Sequence, residues 1–310
     1  MQIVKYKYPE EIKLDSSVIA LGFFDGVHLA HRQLIKKCIE VARDKGVRSA
    51  LLTFDNDSGL KSEASRLYSV EERLSLIEKM GIDRVILCDF ESVKTLDSGV
   101  FISEVLVDAL GAVALVAGYN FRYGKAALGN YETLKSDAKA LGIDTFIERE
   151  ISDGKTPISA TAIREALKNG EIKKANKMLV TPYHIFGTVL HGIGVGHQKG
   201  FPTVNISLHN PNILKLGVYI TGVVVDGELY TGLTNVGTCP TILSREVHAE
   251  TTILNFNRDI YGKEVEIYFL EYLREERHFD SADELRTQIE LDKKTLEQRG
   301  EVKWQEIGLN

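Results

Sequence analysis

The tightest constraint on the fold is an alternation near the amino terminus. A short apolar run, Val18–Gly22, is followed by Leu34, Ile35, Cys38, Val41 and Ala42 at helical spacing, and then by a second apolar run, Ala50–Phe54. Strand, helix and strand in that order form a βαβ unit, which requires a parallel pair joined by a crossover helix. The segment SVEERLSLIEKMG repeats the logic. Ser69 and Glu72 form a capping box, Leu74 and Ile77 supply the apolar face, and Gly81 ends the helix before a strand at Arg84–Cys88. Val113–Ala117 is a further short apolar run. The expectation is a Rossmann-like parallel sheet with helices on both faces and ligands outside the carboxyl ends of its strands.

The texture changes near Pro182. From His184 to Leu273 the chain carries short β-branched runs (IFGTVL, VYITGVVV, LYTGLTNVG, TTILNF, EVEIYFLEYL) separated by Gly, Asn and Asp, with Asp226-Gly227 marking a hairpin. This predicts a small antiparallel β-barrel, so the fold class is α/β plus β. A terminal helix follows, opened by a Ser281/Glu284 capping box, striped by Leu285, Ile289 and Leu296, and stopped by Gly300. The intervening ISATAIREALKNGEIKKANKMLVTP predicts one or two helices closing the first domain, which places the domains at 1–181 and 182–310.

Charge narrows the partners. Among 310 residues the net charge is −6, which argues against a protein that coats nucleic acid or an anionic membrane and favours small-molecule partners. No apolar run approaches the roughly 20 residues that span a bilayer. Cys38, Cys88 and Cys239 are scattered, with no CxxC pair to frame a disulfide or a zinc site, and read as buried residues of a cytoplasmic protein.

Candidate chemistry begins in IALGFFDGVHLAHRQLI, where a Gly-bearing turn leads into a helix and exposes unsatisfied N–H groups at the positive end of the helix dipole. His28 and His31 sit there one turn apart. Phosphate binding, metal ligation and a plain polar helix start all remain open for the pair; the metal reading lacks a nearby carboxylate or Cys at ligand spacing.

FDGVHLAH resembles the HxGH signature of nucleotidyltransferases. The run from Gly22 through Phe24, Asp25 and Gly26 to His28 is similar to the version in bacterial bifunctional riboflavin kinase/FAD synthetases. Gly118-Tyr-Asn-Phe-Arg-Tyr-Gly124 is similar to that family's G-x-(D/N)-F-x-(F/Y)-G loop, and Ile158-Ser-Ala-Thr-Ala-Ile-Arg164 to its I-S-S-T-x-I-R motif. The resemblance implies that the first domain transfers AMP from ATP to FMN and releases pyrophosphate. It implies that His28 and His31 hold the ATP phosphates, that Gly22, Phe24, Asp25, Gly26 and Asn120 lie at the nucleotide, and that Ser159, Thr161 and Arg164 bind phosphate. Arg matches phosphate oxygens in a bidentate way, and hydroxyls before a helix sit beside unsatisfied donors. Ala30 stands where the family usually has Gly, and Thr53-Phe-Asp-Asn-Asp-Ser58 replaces its T-F-x-P-H-P segment, bringing Asp55 and Asp57 towards the nucleotide pocket.

A second resemblance lies in the barrel. Gly192, Gly194, Gly196 and Gly200 precede Gly200-Phe-Pro-Thr-Val-Asn205, similar to the riboflavin kinase module's glycine-rich flap and G-F-P-T-A-N signature. Gly232-Leu-Thr-Asn-Val-Gly-Thr-Cys-Pro-Thr241 resembles its G-x-x-N-x-G-x-x-P-T, and Glu250-Thr-Thr-Ile-Leu-Asn-Phe its E-x-x-(I/L)-(L/F)-(D/N)-F. The resemblance implies phosphorylation of riboflavin to FMN by ATP. Glu250 would be the general base, Thr203 and Asn205 the Mg²⁺ ligands, and Gly192, Gly196, Gly200, Pro202 and Asn235 the binding residues. Lys199, His197 and Arg274 are candidate supporting cations. The implied partners are riboflavin, FMN, FAD and ATP/ADP, with Mg²⁺ as cofactor. Two further readings are a riboflavin kinase with an impaired adenylyltransferase domain and a flavin-responsive regulatory protein.

Overall fold

The protein is described from a computed structural model covering residues 1–55, 66–154, 156–179, 181–190, 203–208, 210, 212–238, 247–277 and 282–308. By contacts the chain divides into Met1–Ala160 and Thr161–Asn310.

The first unit is built on a six-stranded parallel sheet of β1 (Gln2–Tyr6), β2 (Ser17–Leu21), β3 (Arg48–Phe54), β4 (Arg84–Cys88), β5 (Ala112–Gly118) and β6 (Asp144–Glu148), in the order β1-β4-β3-β2-β5-β6. All five residues of β2 are buried, as befits a central parallel strand covered on both faces. One face receives α1 (Leu29–Lys45), whose buried residues are Leu34, Ile35, Cys38, Val41 and Ala42, the stripe read from the spacing. Cys38 donates to the carbonyls of Val18 and Ala50, and burial pushes its thiol up to about 12. The opposite face packs Ile19, Leu21, Ala50, Leu52 and Leu115 against the π-helical stretch Phe101–Ala109 and against α5 (Tyr131–Ala140). The short helices α3 (Phe90–Val93) and α4 (Ser98–Val100) connect β4 to the π-helical stretch, and a two-strand ribbon of β7 (Ser152–Asp153) and β8 (Thr156–Pro157) follows β6.

Helix α2 (Val70–Glu78) has the expected capping box, Ser69 Oγ accepting from the Glu72 N–H and the Glu72 carboxylate from the Ser69 N–H. Its buried face matches the expected one at Ile77, which is fully buried, and departs from it one residue earlier than Leu74. Leu74 is half-buried, while Arg73 is only 1% exposed. The helix turns this cation inward because it meets backbone carbonyls there, a partnership no hydrophobic pattern encodes.

In the second unit α6 (Ala160–Lys168) and α7 (Ile172–Leu179) precede an antiparallel sheet of β9 (His184–Thr188), β10 (Thr203–Ser207), β11 (Gly217–Val225), β12 (Glu228–Thr238), β13 (Val247–Ile253) and β14 (Glu264–Arg274), ordered β10-β13-β12-β11-β14-β9. A bridge from the Leu190 N–H to the Asn205 carbonyl, 2.9 Å, brings the two ends together and nearly closes the barrel. Asp226 and Gly227, with φ of 50° and 79°, form the β11–β12 hairpin. Inside, the buried hydroxyls of Thr221, Thr234 and Thr251 form a chain with steps of 2.9 and 2.8 Å, satisfying one another's polar atoms. Helix α8 (Ala282–Arg299) lays Leu296 against Val218, Ile220 and Leu233, and Gly300 follows it with a φ of 87°. Residue Ser281 lies outside the described residues.

Candidate functional site

The first candidate site is a cavity of about 740 Å³ in the first unit, at the carboxyl ends of β2, β3 and β5. The loop after β2 makes its floor. Phe24 and Val27 adopt positive φ (55° and 41°) beside Gly26 at 84°, a conformation that costs non-glycine residues about 1 kcal/mol or more each and persists only where the surroundings enforce it. Gly22 is required here, since a Cβ would lie 2.9 Å from the Phe24 ring. Phe24 is wholly buried and packs on His31 at a centroid distance of 5.0 Å, so it supports the site from below.

His28 caps α1 with extended backbone, and its ring stacks on His31 with centroids 3.6 Å apart and planes inclined by 17°. Among the described residues no cluster of three metal-ligating side chains exists. Both rings line the cavity, and both Nδ1 atoms are buried with hydrogen-bonding capacity that no described residue uses. Burial pushes His28 down to about 4; burial, then His28 and Arg73, hold His31 well below its ordinary value. The pair is therefore neutral at physiological pH, each ring one N–H donor and one acceptor. That suits hydrogen bonds to phosphate oxygens without adding charge to the pocket.

Asp25 is 2% exposed, accepts from the Leu67 N–H at 2.9 Å and still lines the cavity, as do Gly22, Asn120, Ser159 and Ala30. Gly26 turns the chain. Thr161 and Arg164 lie on α6 in the second unit, where Arg164 donates to Thr161 Oγ1 at 3.1 Å. Sequence reasoning missed the apolar end of the cavity, lined by Phe54, Phe90, Phe101 and Phe121, and the cations Lys94 and Lys125 at its rim. Phe121 and Phe54 stand in motif segments, but Phe90 and Phe101 carry no motif, and only the fold gathers the four rings.

The second candidate site lies on the barrel. Glu250 on β13 pairs with Asn205 on β10 and with Asn235 on β12, so three residues from distant motifs stand in one cross-strand row. Directly paired residues project from the same face. Glu250 is exposed and Asn205 and Asn235 half-buried, while the alternate residues Ala249 and Thr251 point into the core. A Cβ on Gly237 would run into Glu276 Oε1 and lie 3.2 Å from Asn235 Nδ2, which places a second carboxylate beside the row. Thr203 heads β10 in register with Thr252, its side chain outside the described residues, as are Gly192, Gly194, Gly196, His197, Lys199, Gly200, Pro202 and Cys239.

Arg274 is not a free cation for this site. Its guanidinium is held by the Asp292 carboxylate of α8 through contacts of 3.0, 3.1 and 2.7 Å, a largely buried pair that fastens the terminal helix to β14. Arg is well suited to that bidentate geometry.

Comparison with known proteins follows this division. The FAD synthetase family matches residues 10–162 and the riboflavin kinase family residues 179–299. A bifunctional riboflavin kinase/FMN adenylyltransferase of Bacillus subtilis is 35% identical, covering 89% of this chain and 90% of that protein. One from Haemophilus influenzae is 34% identical, covering 95% and 98%. A crystal structure described as a macrolide-efflux protein from Streptococcus pneumoniae shares 28% identity and a TM-score of 0.83 over 95% of this chain and 98% of that one.

Proposed function

This chain belongs to the bifunctional riboflavin kinase/FMN adenylyltransferase family, and from that premise we propose how its two halves divide FAD synthesis: residues 182–310 phosphorylate riboflavin to FMN, and residues 1–181 adenylylate FMN to FAD. No helix among the described residues is long and apolar enough to cross a membrane, and we place the activity in the cytoplasm.

In the kinase half Glu250 is the general base. It takes the proton of the ribityl 5′-hydroxyl as that oxygen attacks the γ-phosphorus of ATP and the bond to ADP breaks. Asn205 and Asn235 flank the carboxylate across the strands and orient the hydroxyl and phosphate oxygens. The donor set here is oxygen-rich and spare, which fits Mg²⁺, an ion that uses one or two protein oxygens and takes the rest from water and phosphate. Asn205, with Thr203 ahead of it, would hold the ion, which supplies neutralisation of phosphate charge when bound.

In the adenylyltransferase half a phosphate oxygen of FMN attacks the α-phosphorus of ATP and pyrophosphate leaves. His28 and His31, held neutral, donate hydrogen bonds to the phosphates as charge shifts onto the leaving group. Gly22, Asp25 and Asn120 surround the nucleotide, Gly26 shapes the loop and Phe24 supports it. Ser159 adds a hydroxyl, while Thr161 and Arg164 are assigned to phosphate from their motif. The phenylalanine-lined end of the cavity suits the flat flavin ring.

The observation that carries this reading is the Asn205–Glu250–Asn235 row, because three motifs separated in sequence meet in one register. Its test is a chromatographic time-course with riboflavin, ATP and Mg²⁺: FMN rises first and FAD follows. FMN accumulating without FAD overturns the adenylyltransferase half; no FMN overturns the kinase half.

A further inference from the structure

Arg73 is unusual for a cation: it is 1% exposed and forms no part of any motif, yet its bonds converge on the strand ends below the histidines. Nη1 donates to the Phe23 carbonyl at 2.7 Å and to Thr53 Oγ1 at 3.1 Å, and Nη2 donates to the Phe54 carbonyl at 2.9 Å. Thr53 Oγ1 donates in turn to the Phe23 carbonyl at 2.8 Å, so this carbonyl, at the start of the strained loop, receives two donors. The guanidinium also lies over the Phe23 ring, 4.9 Å from its centroid.

We propose that Arg73 is the positioning residue of the adenylyl-transfer site: from α2 it ties the loop bearing Asp25, His28 and His31 to the end of β3, and so sets where the histidine pair meets the nucleotide. The proposal rests on the reading of the first unit as the adenylyltransferase. Phe23 sits immediately before Phe24, whose positive φ begins the strained turn. A loop held in such a conformation needs fixed bonds at its entrance, and the two carbonyls are fixed by a planar fork that a lysine cannot reproduce. Burial lowers the guanidinium to about 10 while Asp25 and Asp55 support its charge, so it stays cationic in use. Asp55, read from sequence as a charge facing the nucleotide, thus has a cation close by.

The test uses the full-length protein and measures FAD formation from FMN and ATP separately from FMN formation from riboflavin. The variants are Thr53→Val, Arg73→Lys and Arg73→Met. For FAD formation we expect kcat to fall about tenfold in Thr53→Val, with KM for ATP within about twofold, and to fall in the order wild type, Arg73→Lys, Arg73→Met, with the lysine variant a partial rescue. Kinase kcat and KM stay within about twofold throughout. Wild-type kcat for FAD in Thr53→Val and Arg73→Lys overturns the proposal, and so does a loss that merely tracks the unfolded fraction seen by circular dichroism at the assay temperature. Should Arg73→Met not fold, Thr53→Val decides, because it removes a hydroxyl and little else. A wild-type protein that forms no FAD overturns the premise and the proposal with it.

Discussion

The rings of His28 and His31 stack face to face, 3.6 Å between centroids, in the wall of a cavity where both Nδ1 atoms are buried and no described residue bonds to them. Two like charges that close would repel, so the arrangement is stable only with the rings neutral. It pre-sets two donors at the start of α1, where the helix dipole already favours an anion.

His28→Ala should therefore cut FAD formation from FMN by at least ~100-fold, the scale of losing a donor aimed at developing charge. FMN formation from riboflavin stays at the wild-type rate. The two products are read from one chromatogram, and loss of both would show that the pair does not serve the first activity alone.

The same burial makes stability depend on pH. His28 titrates near 4 in the fold and near its ordinary 6.5 when unfolded, so between those values the unfolded chain binds more protons. Its contribution is fully present above pH 6.5 and is lost as pH falls towards 4, about 3 kcal/mol in all. His31, held lower by burial, His28 and Arg73, adds in the same direction. Urea unfolding of the wild type across that window should show the decline, and His28→Phe should make it shallower, leaving the part that His31 contributes.

How much of this was legible in the sequence depends on what kind of interaction carries it. The stripe Leu34, Ile35, Cys38, Val41 and Ala42 was readable because burial on a helix follows its period, and the Asp226-Gly227 hairpin because positive φ selects its residues. Arg73 was not, since a cation buried against carbonyls looks in sequence like a solvated one; of the expected face of α2, Ile77 is buried as read, while Arg73 and Leu76 are buried where Leu74 is only half-buried. Motifs marked Asn205, Asn235 and Glu250 separately; their alignment is a matter of strand register, which tertiary pairing decides. Arg274 reads in the sequence as a candidate supporting cation of the kinase site, because its partner Asp292 lies on a different element, the terminal helix.

Glu250→Gln keeps the shape of the side chain and its place opposite Asn205 and Asn235, but removes the proton acceptor. Riboflavin phosphorylation should fall ~10²–10⁴-fold, the range for losing a general base, with the unfolding midpoint unchanged. FAD formation from supplied FMN continues. A turnover near wild type in this variant would remove Glu250 from the role of base.

Asp292→Ala leaves the Arg274 guanidinium without the carboxylate that holds it, in a site where the two side chains are 17% and 8% exposed. Breaking a largely buried pair from one side costs about 3 kcal/mol, more than an exposed ion pair of the same geometry would. The expected result is a lower denaturant midpoint for the kinase half and release of α8, visible as faster amide exchange around Leu296. Substituting both residues by apolar ones should recover much of the loss, because no charge is then left buried.

Ala30 lies between the histidines at the second position of α1, and its methyl lines the cavity where the family usually has glycine. A Cβ there keeps a phosphate slightly farther from the helix's unsatisfied N–H groups than a bare backbone would, weakening the contacts that the dipole and the amides provide together. Ala30→Gly should lower KM for ATP in FAD formation severalfold while leaving the kinase KM for ATP unchanged. The substitution also loosens the helix, by up to about 1 kcal/mol in a helix interior and less in the first turn, so the first unit should unfold at slightly lower denaturant. Tighter ATP binding with a small loss of stability is the paired signature; an unchanged KM would mean that the phosphates pass the other side of His28 and do not touch the Ala30 methyl.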